Sequence, residues 1–185
     1  MKIYIKPTSE NNNPIFAARN ILSINKLYHG GSEPVKNPDL RRCGNTKDFG
    51  WGFYCTNYQE QAEQWARRKG GVVSVYTWNP SVLNILKCLE FVDMATEEGQ
   101  DAWVDFLSDN RLEKSGNQIH DFDIVAGPMG DDSFWAVAVS YMRNPTEDRR
   151  QRLINAAKFG KYTKQIVFCT DKALQSLKFL ESYEV

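Results

Sequence analysis

The sequence predicts an α+β fold, and three observations carry the prediction. Val72–Trp78 is a run of β-branched and aromatic residues closed by Asn79-Pro80, the pattern of a buried strand. Two other stretches place apolar side chains at helical spacing: Ala62, Trp65 and Ala66 in the first, Trp103, Phe106 and Leu107 in the second. Strand and helix patterns then succeed one another without regular strand–helix–strand alternation, which argues against a doubly wound parallel sheet.

Taken in order, residues 1–5 alternate weakly, with Ile3 and Ile5 on one side of Tyr4, and read as a short strand. Residues 8–14 carry three successive asparagines and read as a polar loop, and residues 15–22 read as a short helix. Residues 1–24 are thus an N-terminal extension and residues 25–185 the main domain. A strand over 25–29 is expected to end on His29, with Gly30-Gly31-Ser32 turning the chain and residues 34–40 extended. Thr56 is expected to open a helix, since Gln59 three residues on completes a capping box. Arg67-Arg68-Lys69 closes that helix before Gly70-Gly71. Beyond Val72–Trp78 the pattern assigns a strand to 84–87, a helix to 96–110, a loop to 113–117 and a short buried strand to 122–126. Asp131-Asp132-Ser133 caps a helix running to Arg143 and stopped by Pro145. Residues 146–159 form a more charged helix and 163–170 a strand. Asp171 caps a last helix through Leu177, and a final strand covers 178–185.

Composition narrows the function classes. At 185 residues the chain is most simply one domain with a sizeable core. Lys plus Arg equals Asp plus Glu at 23 each, so no global field draws in nucleic acid or an anionic membrane. Cys43, Cys55, Cys88 and Cys169 are widely spaced, and the only histidines are His29 and His120. That pattern argues against a zinc cluster and for thiols in a reducing cytosol. There is no secretory leader pattern and no apolar run near ~18 residues, so a soluble, cytoplasmic protein without membrane contact is expected.

The most distinctive stretch is Lys47-Asp48-Phe49-Gly50-Trp51-Gly52-Phe53-Tyr54-Cys55-Thr56, read with Leu27-Tyr28-His29-Gly30 upstream. Gly50 and Gly52 let the backbone turn sharply or approach a ligand closely, and an aromatic after such a bend can stack on a flat heterocycle. Read alone, the stretch is first a glycine-rich turn before a strand whose aromatics are core. Read as a pair, His-Gly followed by Phe-Gly-x-Gly-x-Tyr resembles the ADP-ribosyltransferase superfamily. The branch is the diphtheria-toxin-like and poly(ADP-ribose)-polymerase-like one, whose signature is His, Tyr, then Glu. The same stretch, with Gln61-Ala62, Asp121-Phe122-Asp123-Ile124-Val125, Gly127-Pro128, Asp131-Asp132 and Asp171-Lys172-Ala173-Leu174, is similar to a bacterial family catalogued as a domain of unknown function. That family is generally placed in the ADP-ribosyltransferase-like fold. The resemblance implies a split antiparallel β-sheet core with flanking helices. It also implies cleavage of the nicotinamide–ribose bond of NAD through an oxocarbenium-like state, with NAD as co-substrate and no metal.

Carried over residue by residue, the resemblance has His29 hydrogen-bond a ribose hydroxyl and Gly30 offer its backbone to the nicotinamide amide. Tyr54 stacks on nicotinamide, with Phe53 and Tyr28 as competitors, and Gly50 and Gly52 shape the cofactor loop. Trp51 stands where these families often carry Lys, which removes a cation from the site. The superfamily's Glu falls on Gln165, in Lys164-Gln165-Ile166-Val167-Phe168. A neutral amide orients a ribose hydroxyl but supplies no charge opposite an oxocarbenium, which argues against long polymer synthesis. Asp131 and Asp132 are the candidates to supply that charge, against a competing role as helix caps. Asp123 reads as a buried hydrogen-bonding carboxylate. Arg41 is a candidate partner for the NAD pyrophosphate, while Arg67-Arg68 and Arg149-Arg150 read as solvated faces.

The expected function is therefore NAD-dependent mono-ADP-ribosyl transfer to a macromolecular acceptor, a protein or a nucleic acid. The resemblance further implies a toxin-like or phage-defence role, with an antitoxin or immunity protein as partner. Two alternatives stand beside it: an NAD glycohydrolase, and an inert module binding NAD, a nucleotide or a partner, which Gln165 favours. A tRNA 2′-phosphotransferase-like reaction would want a more basic surface and further Arg and His residues in the site.

Overall fold

The β-branched run Val72–Trp78 (β3) becomes the middle strand of a three-stranded sheet. The computed structural model describes residues 24–44, 47–79, 85–91, 97–112, 117–130, 132–144, 146–156 and 164–185. Leu27–Gly31 (β1) and Leu177–Glu184 (β7) flank β3, both antiparallel to it. A second sheet has the order β2-β6-β5-β4, built from Phe53–Cys55 (β2), Lys164–Phe168 (β6), Ile124–Pro128 (β5) and Cys88–Glu90 (β4). Its strands pair antiparallel except β4 with β5, which are parallel. The sheets are stitched together where β1 meets the end of β2. There Tyr28 N–H donates to Thr56 O at 2.8 Å and Thr56 N–H to Tyr28 O at 2.9 Å. The molecule is thus an α+β protein with one antiparallel and one mixed sheet.

Alternation along the strands divides the core. Ile166 and Phe168 of β6 point between the sheets, where they meet Leu27, Phe53, Tyr76 and Trp78. Val167 points the other way, with Tyr54 and Val125, under three helices: Glu97–Leu112 (α2), Asp132–Arg143 (α3) and Glu147–Ala156 (α4). Trp103, Phe106 and Leu107 of α2, with Phe134 of α3 and Leu153 of α4, close that layer. Burial of each such side chain stabilises the fold by roughly 1.5–3 kcal/mol. A third, smaller cluster sets Ala62 and Ala66 of Gln59–Arg67 (α1) on Val73 and Val75 of β3.

Several boundaries move from their expected places. β1 continues through Gly30 and Gly31 instead of turning there, because both residues stay paired with Val73 and Val72. Thr56 does not cap α1: the helix begins at Gln59, and its N-cap Tyr58 makes no side-chain cap bond. Thr56 is held in the bridge to Tyr28, and its hydroxyl donates to Gln61 Oε1 at 2.6 Å. The helix does stop as expected, with the N–H groups of Lys69, Gly70 and Gly71 all on Ala66 O. The strand assigned to 84–87 forms instead at β4, since the Lys87 peptide is consumed by Asp123: Lys87 N–H donates to Asp123 Oδ2 at 2.8 Å. Asp123 is a hydrogen-bonding carboxylate as expected, but half-buried rather than buried, and it also accepts from Thr170 Oγ1 at 2.6 Å. The last helix, Asp171–Leu174 (α5), is a single turn capped by Thr170 rather than Asp171, and Leu177 already belongs to β7. The assignments over 1–5, 8–14 and 15–22, and the residue Asp131, lie outside the described residues.

Candidate functional site

The glycine-rich stretch folds as a tight loop leading into β2, and its own aromatic closes it. Gly50 sits at φ +77°, the left-handed region that only glycine enters cheaply. A Cβ there would also meet Asn110 Oδ1 and Gln118 Oε1 at 2.5 Å. The Tyr54 hydroxyl donates to Gly50 O at 2.8 Å and accepts from Phe49 N–H at 3.0 Å. Burial holds that phenol well above its usual pKa, so it stays a donor. From outside, Gln118 grips Trp51 on both backbone groups, accepting from its N–H at 2.9 Å and donating to its O at 3.1 Å. Trp51 in turn donates its indole N–H to Leu40 O at 2.7 Å. His120 Nε2 donates to Phe49 O at 3.1 Å, so this histidine is a clasp of the loop.

His29 lies beside this loop on β1. Its Nδ1 is 2.7 Å from Tyr54 O, a carbonyl that can only accept, so Nδ1 carries the proton and Nε2 keeps its lone pair. The imidazole stacks on Phe53 with ring centres 4.4 Å apart. Burial lowers its pKa from 6.5 to about 4, opposed by the Tyr54 carbonyl and aided weakly by Lys69 and Lys47. At neutral pH His29 is an uncharged acceptor at Nε2.

Gln165 is buried on β6, two residues from the strand partner of Tyr54. Its Nε2 donates to Asp48 Oδ2 at 2.9 Å and approaches Pro128 O at 3.4 Å. Both neighbours are pure acceptors, which fixes the amide with its NH2 towards them and leaves Oε1 as the other end. Asp48, only 4% exposed, also accepts from Gly130 N–H at 3.0 Å, and its Oδ1 takes Arg111 Nη2 at 2.6 Å and Nε at 3.2 Å. Asp48 is the residue that reading the sequence missed as part of a site. Its motif was visible, but its partners lie in segments remote along the chain.

Tyr54, Asp48 and Gln165 share one cavity of about 230 Å³ with Trp65, Met129 and four cations, Lys47, Arg68, Lys69 and Arg111. The Lys47 ammonium rests 4.5 Å above the Tyr54 ring centre. The cation that Trp51 withholds is thus present, brought from the loop itself and from the end of α1. Arg68, exposed as expected of a solvated face, is one of them. Arg41, by contrast, lies in an exposed 3-10 turn at Leu40–Arg42, bidentate on Asp39 and outside the cavity lining.

Other expected site residues have identifiable structural duties. Gly30 lies under α1, where a Cβ would meet Ala62 O at 2.2 Å and Ala66 N at 2.7 Å, so only glycine lets helix and strand come this close. A Cβ on Gly52 would meet Val167 Cγ1 at 2.5 Å. Phe53 faces the core between the sheets, and Tyr28 packs beneath α1. Asp132 is the first residue of α3, following the β5 end that frames Gln165.

Fold and loop together define an α+β protein whose two sheets meet beside an open, cation-lined cavity. The chain belongs to the family described as Protein of unknown function (DUF3990), which it matches over residues 25–179. Comparison with curated proteins and with solved structures finds no match.

Proposed function

We propose that this protein is an NAD-dependent mono-ADP-ribosyltransferase built on an ADP-ribosyltransferase-like split sheet. One observation carries the reading: residues 29, 54 and 165, the positions matching His, Tyr and Glu, sit on neighbouring strands at the sheet junction, where Tyr54 and Gln165 line a cavity rich in cations and His29, outside that lining, is tied to it through the Tyr54 carbonyl. NAD brings a diphosphate, and Arg68, Lys69 and Lys47 are the charges it would meet. His29 Nε2 and Gln165 Oε1 are both acceptors, suited to ribose hydroxyls. The Tyr54 ring offers nicotinamide a face once Lys47 moves off it. The C1′–N bond then breaks with its electron pair leaving on nicotinamide. An acceptor nucleophile adds at C1′ and gives its proton to water.

The acceptor is a protein or nucleic acid in this reading. A toxin or phage-defence setting would add an antitoxin or immunity partner. Among the described residues no helix is long and apolar enough to cross a membrane. The second reading, an inert NAD- or partner-binding module, is favoured by the amide at Gln165.

The test is nicotinamide release from labelled NAD by wild type, His29→Ala, Tyr54→Phe and Gln165→Ala, with and without cell lysate. Release that falls in His29→Ala, with label moving to a lysate macromolecule, is the expected result. Release without label transfer selects the glycohydrolase. NAD binding without release in any condition leaves only the inert module.

A further inference from the structure

We infer that Asp48 is a positioning residue that lets the Gln165 amide serve where a carboxylate is expected; the inference rests on the transferase reading above. Three features of the loop carry it. The carboxylate is buried, and each of its oxygens is aimed: Oδ1 at Arg111, Oδ2 at Gly130 N–H and Gln165 Nε2. The Asp48–Arg111 pair is therefore a fixed dipole whose negative end meets the Gln165 amide. An N–H donated to a carboxylate shifts amide electron density onto the carbonyl oxygen, so Gln165 Oε1 becomes a stronger acceptor. The same contact forbids the amide flip that would present an NH2 to the ribose. Such preorganised polarity acts on the charge that develops in the transition state and little on ground-state binding. Asp48, on the loop before β2, thus does what Asp131 and Asp132 were expected to do, and it acts through Gln165.

The same geometry makes a sharper claim about Gln165→Glu. Restoring the carboxylate on β6 sets two carboxylates in contact, and such pairs hold a shared proton. That substitution alone should therefore not speed the reaction. In D48N/Q165E the amide stands on the loop and the carboxylate on the strand. The hydrogen bond between the two positions reverses polarity and the pair keeps its charge, at the cost of the bond that Oδ2 accepts from Gly130 N–H.

The experiment measures kcat and KM for nicotinamide release from NAD in the full chain for wild type, D48N, Q165E and D48N/Q165E, with thermal melting as the check on folding. Beside it, calorimetry compares binding of ADP-ribose with an ADP-linked pyrrolidine bearing a ring ammonium. We expect D48N to lower kcat about 100-fold with KM within threefold, the scale of one lost preorganised donor or charge. Q165E should stay at or below wild type, and the double variant should return to within tenfold of it. Wild type should prefer the ammonium ligand at least tenfold, a preference absent in D48N and regained in the double variant. A double variant no better than D48N, a Q165E that gains more than tenfold, or an ammonium preference unchanged in D48N overturns the role of Asp48 and leaves the transferase reading standing. Absence of both release and ligand binding in wild type overturns the transferase reading and this inference with it.

Discussion

Lowering the pH should unfold this protein partly through His29. Its folded pKa of about 4 lies below the ordinary 6.5, chiefly because burial disfavours the imidazolium. A depressed pKa contributes stability that is fully present above about pH 6.5 and drains away as the pH falls towards 4, because the unfolded chain takes up the proton first. A gap of about 2.5 pH units at ~1.36 kcal/mol each sets a ceiling near ~3 kcal/mol, and between pH 7.5 and 4.5 about 2–3 kcal/mol of it is lost. Asp39, Asp121 and the half-buried His120, each with a lowered pKa, add losses of the same sign, so the measurement is a difference. Urea unfolding of wild type and His29→Asn across this range isolates the term, because an Asn amide N–H can donate to the same Tyr54 carbonyl but cannot titrate. The stability difference between the two proteins should change by about 2–3 kcal/mol over the window, wild type losing more. A pH-independent difference would refute the buried, Nδ1-protonated assignment. So would a ring-nitrogen NMR spectrum showing imidazolium at pH 6.

Gly30→Ala should be among the most damaging substitutions of a small residue. Its Cβ would lie 2.2 Å from the Ala62 carbonyl, backbone against backbone, and a loss of about 3 kcal/mol, or some 6–12 °C in Tm, is the expected calorimetric result. Tyr54→Phe keeps the ring and removes the hydroxyl that holds Gly50 O and Phe49 N, so a loss of roughly 1–3 kcal/mol in chemical denaturation is expected, with the loop amides exchanging faster by hydrogen–deuterium exchange. Arg68→Ala combined with Lys69→Ala should raise KM for NAD about tenfold or more, with a shallower salt dependence and nearly unchanged melting temperature.

What the sequence disclosed and what it hid follow from the range of the interactions. Val72–Trp78 and the α2 face of Trp103, Phe106 and Leu107 were legible because strand and helix periodicities are local. The class α+β came from the same signal. Thr56 misled because its backbone is taken up by the bridge to Tyr28 while its hydroxyl serves Gln61 and Tyr58, and only the neighbouring strand Leu27–Gly31 reveals the bridge. The strand at Cys88–Glu90 was missed because its edge is set by Asp123, 36 residues away. In the site, Gly50 was readable as a forced turn. Gly30 was read as a ligand contact, and the structure adds its close approach to α1, a relation no spacing rule contains. Asp48 and Arg111 were each ordinary charged residues until the fold placed them 2.6 Å apart.

The bonds of Asp48 reach residues 63, 82 and 117 positions further along the chain. At roughly 5–20 residues per second, ribosomal synthesis separates Asp48 from Gln165 by about 6–23 s. For the first 63 residues of that interval the loop lacks its guanidinium partner, and for all of it the loop lacks its amide partner and β3 the neighbour that β7 supplies. The cavity is therefore a late product of translation. A chain interrupted before residue 165 carries the whole His29-to-Tyr54 motif and the charges of the cavity, and lacks the amide that Asp48 would hold.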